Sequence, residues 1–337
     1  MKRKRQMWIY VVLAVLAICS VLFFGLGLHR RPRYIQNFEE EEYGKDQPFT
    51  EPAMVVDGLA AYAVGAGEPV LLFPYPHGHT TEPMAQSPLA EMLAGMGRRV
   101  ATFDVPGAYR STREPVGDMA EMIRSADETL DRLGIDGAVD VVGHSMGGLA
   151  ALAYAIERPE RTRRLVLVTS LSGFPAAARW GFPRSAFRFY EPDFWRVIVW
   201  GVRLNSGRGD LALHKELQNL MGRAAYYDES KYLPVEIEAD DHNRGVPIRT
   251  LWSKNMYARL SYAGRLGEVR AQTLVVAGRH DHEAPLPCSE ELLQGIPRAS
   301  LRIFEESGHS PFIEEPLLFA QTLDVFLNEE GPVGSLP

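Results

Sequence analysis

Three residue types in one chain order set the first question of chemistry. Ser145 stands in Gly143-His144-Ser145-Met146-Gly147, Asp281 in "VVAGRHDHEAP" and His309 in "SGHSPFIEEP". A serine hydroxyl is a weak nucleophile until a neighbouring base takes its proton. Histidine is the usual base, and a carboxylate on its far nitrogen fixes the tautomer and stabilises the imidazolium. The order Ser, Asp, His is one in which such sets recur. The expected roles are therefore nucleophile for Ser145, orienting acid for Asp281 and general base for His309. Glu283 is the neighbouring alternative acid.

These side chains need elements to hold them. "AVDVVG" reads as a strand and "GGLAALAYAIE" as a helix, which places Ser145 on a sharp strand-to-helix turn. Glycines at 143 and 147 leave room for that turn. The Met146 N–H, at the start of the helix, is placed to hold an oxyanion. Asp281 follows the strand "QTLVVAG" and His309 follows the strand "SLRIFEESG". No acid ends the intervening strand "RRLVLVTS", so Asp281 has no rival there.

Four further runs, "AMVV", "LAAYAV", "PVLLF" and "RRVATFDVPG", complete eight strands, the first two joined at Asp57-Gly58. Helix candidates "PLAEMLAGMG" and "MAEMIRSADETLDRLG" alternate with them. The later strands are β-branched with little alternation, as befits strands covered on both faces. The expected fold class is α/β: an eight-stranded, mostly parallel sheet with helices on both sides. Residues 49–170 and 266–330 make this core, and 331–337 a tail. The interval 171–265 breaks the rhythm. It is rich in aromatics ("FRFYEPDFWRVIVWGV") and reads as a helical cap over the sheet.

"GHSMGG", "FDVPGAYRST", "VVAGRHDHEAP" and "SGHSPFIEEP" together resemble the α/β-hydrolase family, in particular cap-bearing serine hydrolases similar to proline-iminopeptidase-like enzymes. The resemblance runs from about residue 54 to 329. It implies an acyl-enzyme mechanism, no cofactor, and substrate choice by the cap. One part of the pattern departs. The family usually places His-Gly-Gly or His-Gly-x-Pro after the third strand, where a backbone N–H completes the oxyanion hole. This chain has "FPYPHGHTTEP", and Pro76 has no N–H to give. Tyr75 or His77 is left as second donor beside Met146, with Tyr75 preferred. The hallmark "HGGPG" is absent.

His77, His144, Trp195 and Tyr226 are the expected substrate-facing residues, with His144 a packing neighbour of the serine rather than a base. His77 and His79, with His280, Asp281 and His282, invite a metal reading. The fuller ligand spacing of a metallohydrolase is missing, so no metal is expected. The expected substrate is a small-molecule ester or amide, or a short peptide. A prolyl-aminopeptidase-like exopeptidase is one alternative. It would need an acid near the substrate ammonium, with Glu191, Asp193, Glu236, Glu238 and Asp240 of the cap as candidates. A non-catalytic hydrolase-fold binding module is the other. Dehalogenase and epoxide-hydrolase chemistry is disfavoured, because those enzymes carry aspartate where this chain has Ser145.

The chain has 337 residues and a net charge of −7, and its N-terminus is basic, so the remainder is more acidic still. Nucleic acid is therefore a poor partner. Two cysteines, Cys19 and Cys288, offer no disulfide framework. After the basic residues 1–6, residues 7–28 carry no charge and as a helix would reach about 33 Å, enough to cross a bilayer. They are expected to be an uncleaved transmembrane helix, with the N-terminus cytoplasmic and the catalytic domain outside. Residues 29–48, with the acid run Glu39 to Glu42, read as a tether.

Overall fold

The computed structural model describes residues 52–76, 84–107, 110–114, 118–181, 190, 192–205, 211–232 and 260–328. The expected membrane span, the tether, His77 and His79 lie outside the described residues. Among the described residues, no helix is long and apolar enough to cross a membrane.

Eight strands form one sheet: β1 (Met54–Val56), β2 (Leu59–Val64), β3 (Glu68–Leu72), β4 (Arg98–Phe103), β5 (Val139–His144), β6 (Thr162–Val168), β7 (Gln272–Gly278) and β8 (Ala299–Phe304). Their spatial order is β1-β2-β4-β3-β5-β6-β7-β8. The β1–β2 and β2–β4 pairs are antiparallel and all later pairs parallel. Asp57 and Gly58 both take positive φ at the β1–β2 turn, as a tight hairpin requires.

Successive residues of the inner strands feed two cores, because a strand points alternate side chains to opposite faces. On β6, Leu165 and Leu167 face one core while Val166 and Val168 face the other. The first core is covered by α2 (Met119–Arg132), α3 (Ser145–Glu157) and α7 (Leu286–Gly295). The second is covered by α1 (Pro88–Gly95), the short α8 (Pro311–Glu314) and α9 (Pro316–Asn328). Helix starts follow local chemistry. Ser87 caps α1 by accepting from the Ala90 N–H at 3.2 Å, with Pro88 in its first turn. Asp118 caps α2 through the Glu121 N–H at 2.9 Å. From Gly147 to Ile156 every residue of α3 is buried, so this helix is apolar around its whole circumference.

Asp140 of β5 is a fully buried carboxylate. Both its oxygens meet the Arg163 guanidinium, at 2.9 and 2.8 Å. A paired fork of this kind satisfies a buried carboxylate, and it ties β5 to β6 below the turn that carries Ser145.

The region expected to be a cap shows three helices among the described residues: α4 (Phe174–Trp180), α5 (Pro192–Asn205) and α6 (Leu211–Ala224). Its aromatic content does not all face the sheet. Tyr190, Trp195, Ile198 and Val199 are exposed.

Candidate active site

β5 delivers Ser145 to the turn where α3 begins. Its φ is +51°, a left-handed conformation that L residues other than glycine seldom adopt. Such strain persists only where the surroundings enforce it. The enforcement is steric. A Cβ on Gly143 would lie 2.4 Å from the Gly147 carbonyl oxygen, and one on Gly147 would lie 2.7 Å from the Phe73 carbonyl oxygen. The second contact also presses the turn against the chain leaving β3, so the Tyr75 segment runs beside the start of α3. Both predicted oxyanion donors, Met146 and Tyr75, thus belong to backbone segments that touch.

His309 enters from the loop after β8. Its Nδ1 lies 2.9 Å from Asp281 Oδ2, with both side chains almost fully buried. The other oxygen of Asp281 accepts the N–H groups of Glu283 at 2.8 Å and Ala284 at 3.0 Å. The carboxylate is therefore held at both oxygens and aimed at one ring nitrogen. Burial alone would lower the His309 pKa. Asp281 and Glu283 outweigh it and hold the imidazole at about 9. Among the described residues, Ser145 Oγ carries no hydrogen bond, and the polar atom at His309 Nε2 is Glu283 Oε2 at 3.4 Å.

His144 is 6 % exposed and packs inward. Its Nε2 lies 2.8 Å from the His309 carbonyl oxygen, so Nε2 donates, and Nδ1 accepts from the Tyr75 hydroxyl. Burial pushes its pKa down to about 3, with the nearby His309 charge acting the same way, so the ring stays neutral in these roles. The reason is the strand pleat: at the end of β5, successive side chains turn to opposite faces. Tyr75 and His144 also border a cavity of about 150 Å³ with Met84, Leu89 and Phe312.

Tyr226 lies beside the His309 loop. Its hydroxyl is hydrogen-bonded to Ser310, and its ring meets Tyr232 edge-on. Trp195 is 54 % exposed on α5, its ring against Phe194, and no described contact joins it to the three predicted catalytic residues. No group of three or more metal-binding side chains occurs among the described residues.

Four positioning contacts were not read from the sequence. Glu314, nearly buried, accepts N–H groups from Gly308 at 2.7 Å and Tyr227 at 2.8 Å, joining the His309 loop to the segment after α6. The His309 N–H also donates to the Ala225 carbonyl at 2.7 Å. Thr169, at φ +42°, donates its hydroxyl to the His309 carbonyl at 2.8 Å. No local pattern marks Thr169, Ala225 or Tyr227, because each lies far in sequence from the His309 loop.

A sheet of this order with a strained serine at the β5–α3 turn defines a class of protein. The family model for the alpha/beta hydrolase fold matches residues 75–316, and the chain belongs to that family. Among curated relatives, it is 31% identical over 190 residues to a 2-hydroxy-6-oxononadienedioate/2-hydroxy-6-oxononatrienedioate hydrolase of Cupriavidus pinatubonensis, covering 53% of this chain and 58% of that protein. It is 31% identical over 220 residues to a 2-hydroxymuconate semialdehyde hydrolase of Pseudomonas putida, covering 61% of this chain and 68% of that protein. The chain thus spans less than two thirds of the length of the first of these relatives. Among solved structures, an alpha/beta fold family hydrolase from Bacillus anthracis superposes with a TM-score of 0.64 at 22% identity, covering 78% of this chain and 93% of that one. An esterase from Exiguobacterium antarcticum gives 0.59 at 20% identity, with 80% and 96% covered. These two likenesses speak to the fold.

Proposed function

We propose that this protein is a serine hydrolase that cleaves an ester or amide through an acyl-enzyme on Ser145. The observation that carries the reading is the held Asp281–His309 pair, 2.9 Å between Oδ2 and Nδ1, brought to the same end of the sheet as a serine strained to φ +51°. His309 takes the Ser145 proton as Oγ attacks the carbonyl carbon. The N–H groups of Met146 and Tyr75 receive the oxyanion. His309 then gives the proton to the leaving group, and water resolves the acyl-enzyme by the same steps in reverse order of roles. The hydrolase relatives support the reaction class.

A fluorophosphonate probe tests this directly. Wild-type protein should label at Ser145, and Ser145→Ala should neither label nor turn over p-nitrophenyl esters above a residual level, a loss of about 10⁵-fold or more in kcat. Equal labelling of the alanine variant would sink the assignment.

The reading includes tethering to a membrane by residues 7–28, with the body extracytoplasmic. Their uncharged length supports it. The full chain should stay with the membrane pellet through alkaline carbonate extraction, and a chain starting at residue 34 should not. Release of the full chain by carbonate would remove the tether from the proposal.

A further inference from the structure

We infer that Glu283 sets the specificity of this site by holding a protonated amine that the substrate carries beside its scissile carbonyl. The inference rests on the serine-hydrolase reading above and adds a substrate class to it.

Glu283 is not a spare orienting acid. Asp281 already occupies Nδ1 of His309, whereas Glu283 Oε2 lies 3.4 Å from the opposite nitrogen, Nε2. In the proposed reaction Nε2 faces the serine oxygen and the leaving group, so the reacting carbonyl must pass within a few bonds of this carboxylate. The Glu283 side chain is 37 % exposed, against 9 % for His309, which marks it as the solvent-facing member of the pair. Its backbone is fixed. The N–H is held by Asp281 Oδ1, and the carbonyl oxygen packs so closely on Gly181, at the end of α4, that a Cβ there would lie 2.8 Å away. The carboxylate therefore sits where the cap region meets the core. Among the described residues its ionic partner is His309, and no lysine or arginine pairs with it.

That arrangement works against the base unless a cation joins it. The Glu283 carboxylate favours a proton on the nitrogen that must be free to act as base. The groups facing His309 are Asp281 and Glu283 from the loop after β7, Glu314 from α8 and neutral His144 from the end of β5. Of these, Glu283 alone touches Nε2. A substrate ammonium in contact with Glu283 neutralises it and relieves His309 of one negative neighbour. A carboxylate in the same place meets repulsion. The expected cap acids do not supply this role in the described part: Asp193 is paired with Arg196 on α5 at 2.7 Å.

The test compares alanine methyl ester with methyl isobutyrate, which differ by an ammonium in place of a methyl, followed by pH-stat near neutral pH. Wild type should prefer the alanine ester in kcat/KM by about tenfold or more beyond the ratio of the two esters' uncatalysed hydrolysis rates, the worth of one charge-assisted contact. Glu283→Gln should abolish most of that preference, lowering the rate on the alanine ester and raising it on methyl isobutyrate as the His309 base becomes easier to deprotonate. A wild-type ratio no larger than the uncatalysed one, or a ratio unchanged in Glu283→Gln, overturns the inference. Fluorophosphonate labelling separates the two levels. If both proteins label and the ratio does not move, the charge selectivity alone fails. If wild type does not label, the serine-hydrolase reading fails beneath it.

Discussion

Asp281→Asn should lower kcat/KM for ester hydrolysis by about 10⁴-fold with little change in thermal stability. The reason lies in which atom each carboxylate oxygen serves. Oδ1 accepts two backbone N–H groups, from Glu283 and Ala284, and Oδ2 faces His309 Nδ1. An asparagine has one acceptor oxygen. Left on the two backbone donors, it keeps the turn folded and turns its NH₂ toward Nδ1. The imidazole must then accept at Nδ1 and carry its proton on Nε2, where it cannot take the proton of Ser145. The variant should remain folded, label slowly with a fluorophosphonate, and regain some rate at high pH. A loss of less than about tenfold would show that Asp281 does not orient the base.

The second large effect falls on stability. Gly143→Ala should lower the unfolding free energy by about 3 kcal/mol, the upper range for overpacking, or roughly 6–12 °C in Tm. The added Cβ would stand 2.4 Å from the Gly147 oxygen, 2.6 Å from its carbonyl carbon and 2.6 Å from the Gly148 nitrogen. All three are backbone atoms, so no side chain can swing aside. Relief requires opening the turn, which would also let Ser145 relax from its positive φ and lose its aim. Differential scanning calorimetry of the purified variant reads the first effect, and probe labelling reads the second. A variant as stable and as reactive as wild type would mean that the turn is not under the constraint described.

Much of the framework was legible in the linear sequence. The eight apolar runs appear as the eight strands, with boundaries differing by a few residues, as at β8, which ends at Phe304 where the run suggested continuation to Gly308. Buried parallel strands announce themselves by continuous β-branched stretches, because both faces are covered. The glycines around Ser145 and the order Ser, Asp, His were equally readable, since a tight turn and a chain order are local facts. The interval 171–265 was only partly legible. Its aromatics suggested inward packing, yet Trp195, Ile198 and Val199 form an exposed stripe on α5. Composition cannot say which side of a helix meets a neighbour.

The sequence by itself determined the elements, the strained corner at Ser145 and the candidates for acid and base. Each depends on residues near one another in the chain. Only the tertiary structure decided that His144 turns inward to Tyr75 and the His309 carbonyl, that Glu314 joins the His309 loop to the segment after α6, and that Glu283 faces Nε2 while Asp281 faces Nδ1. Asp281 and Glu283 are two residues apart on one loop, and nothing local distinguishes their roles. The distinction arises when β7 and β8 pair side by side and bring His309, distant in sequence, between the two carboxylates.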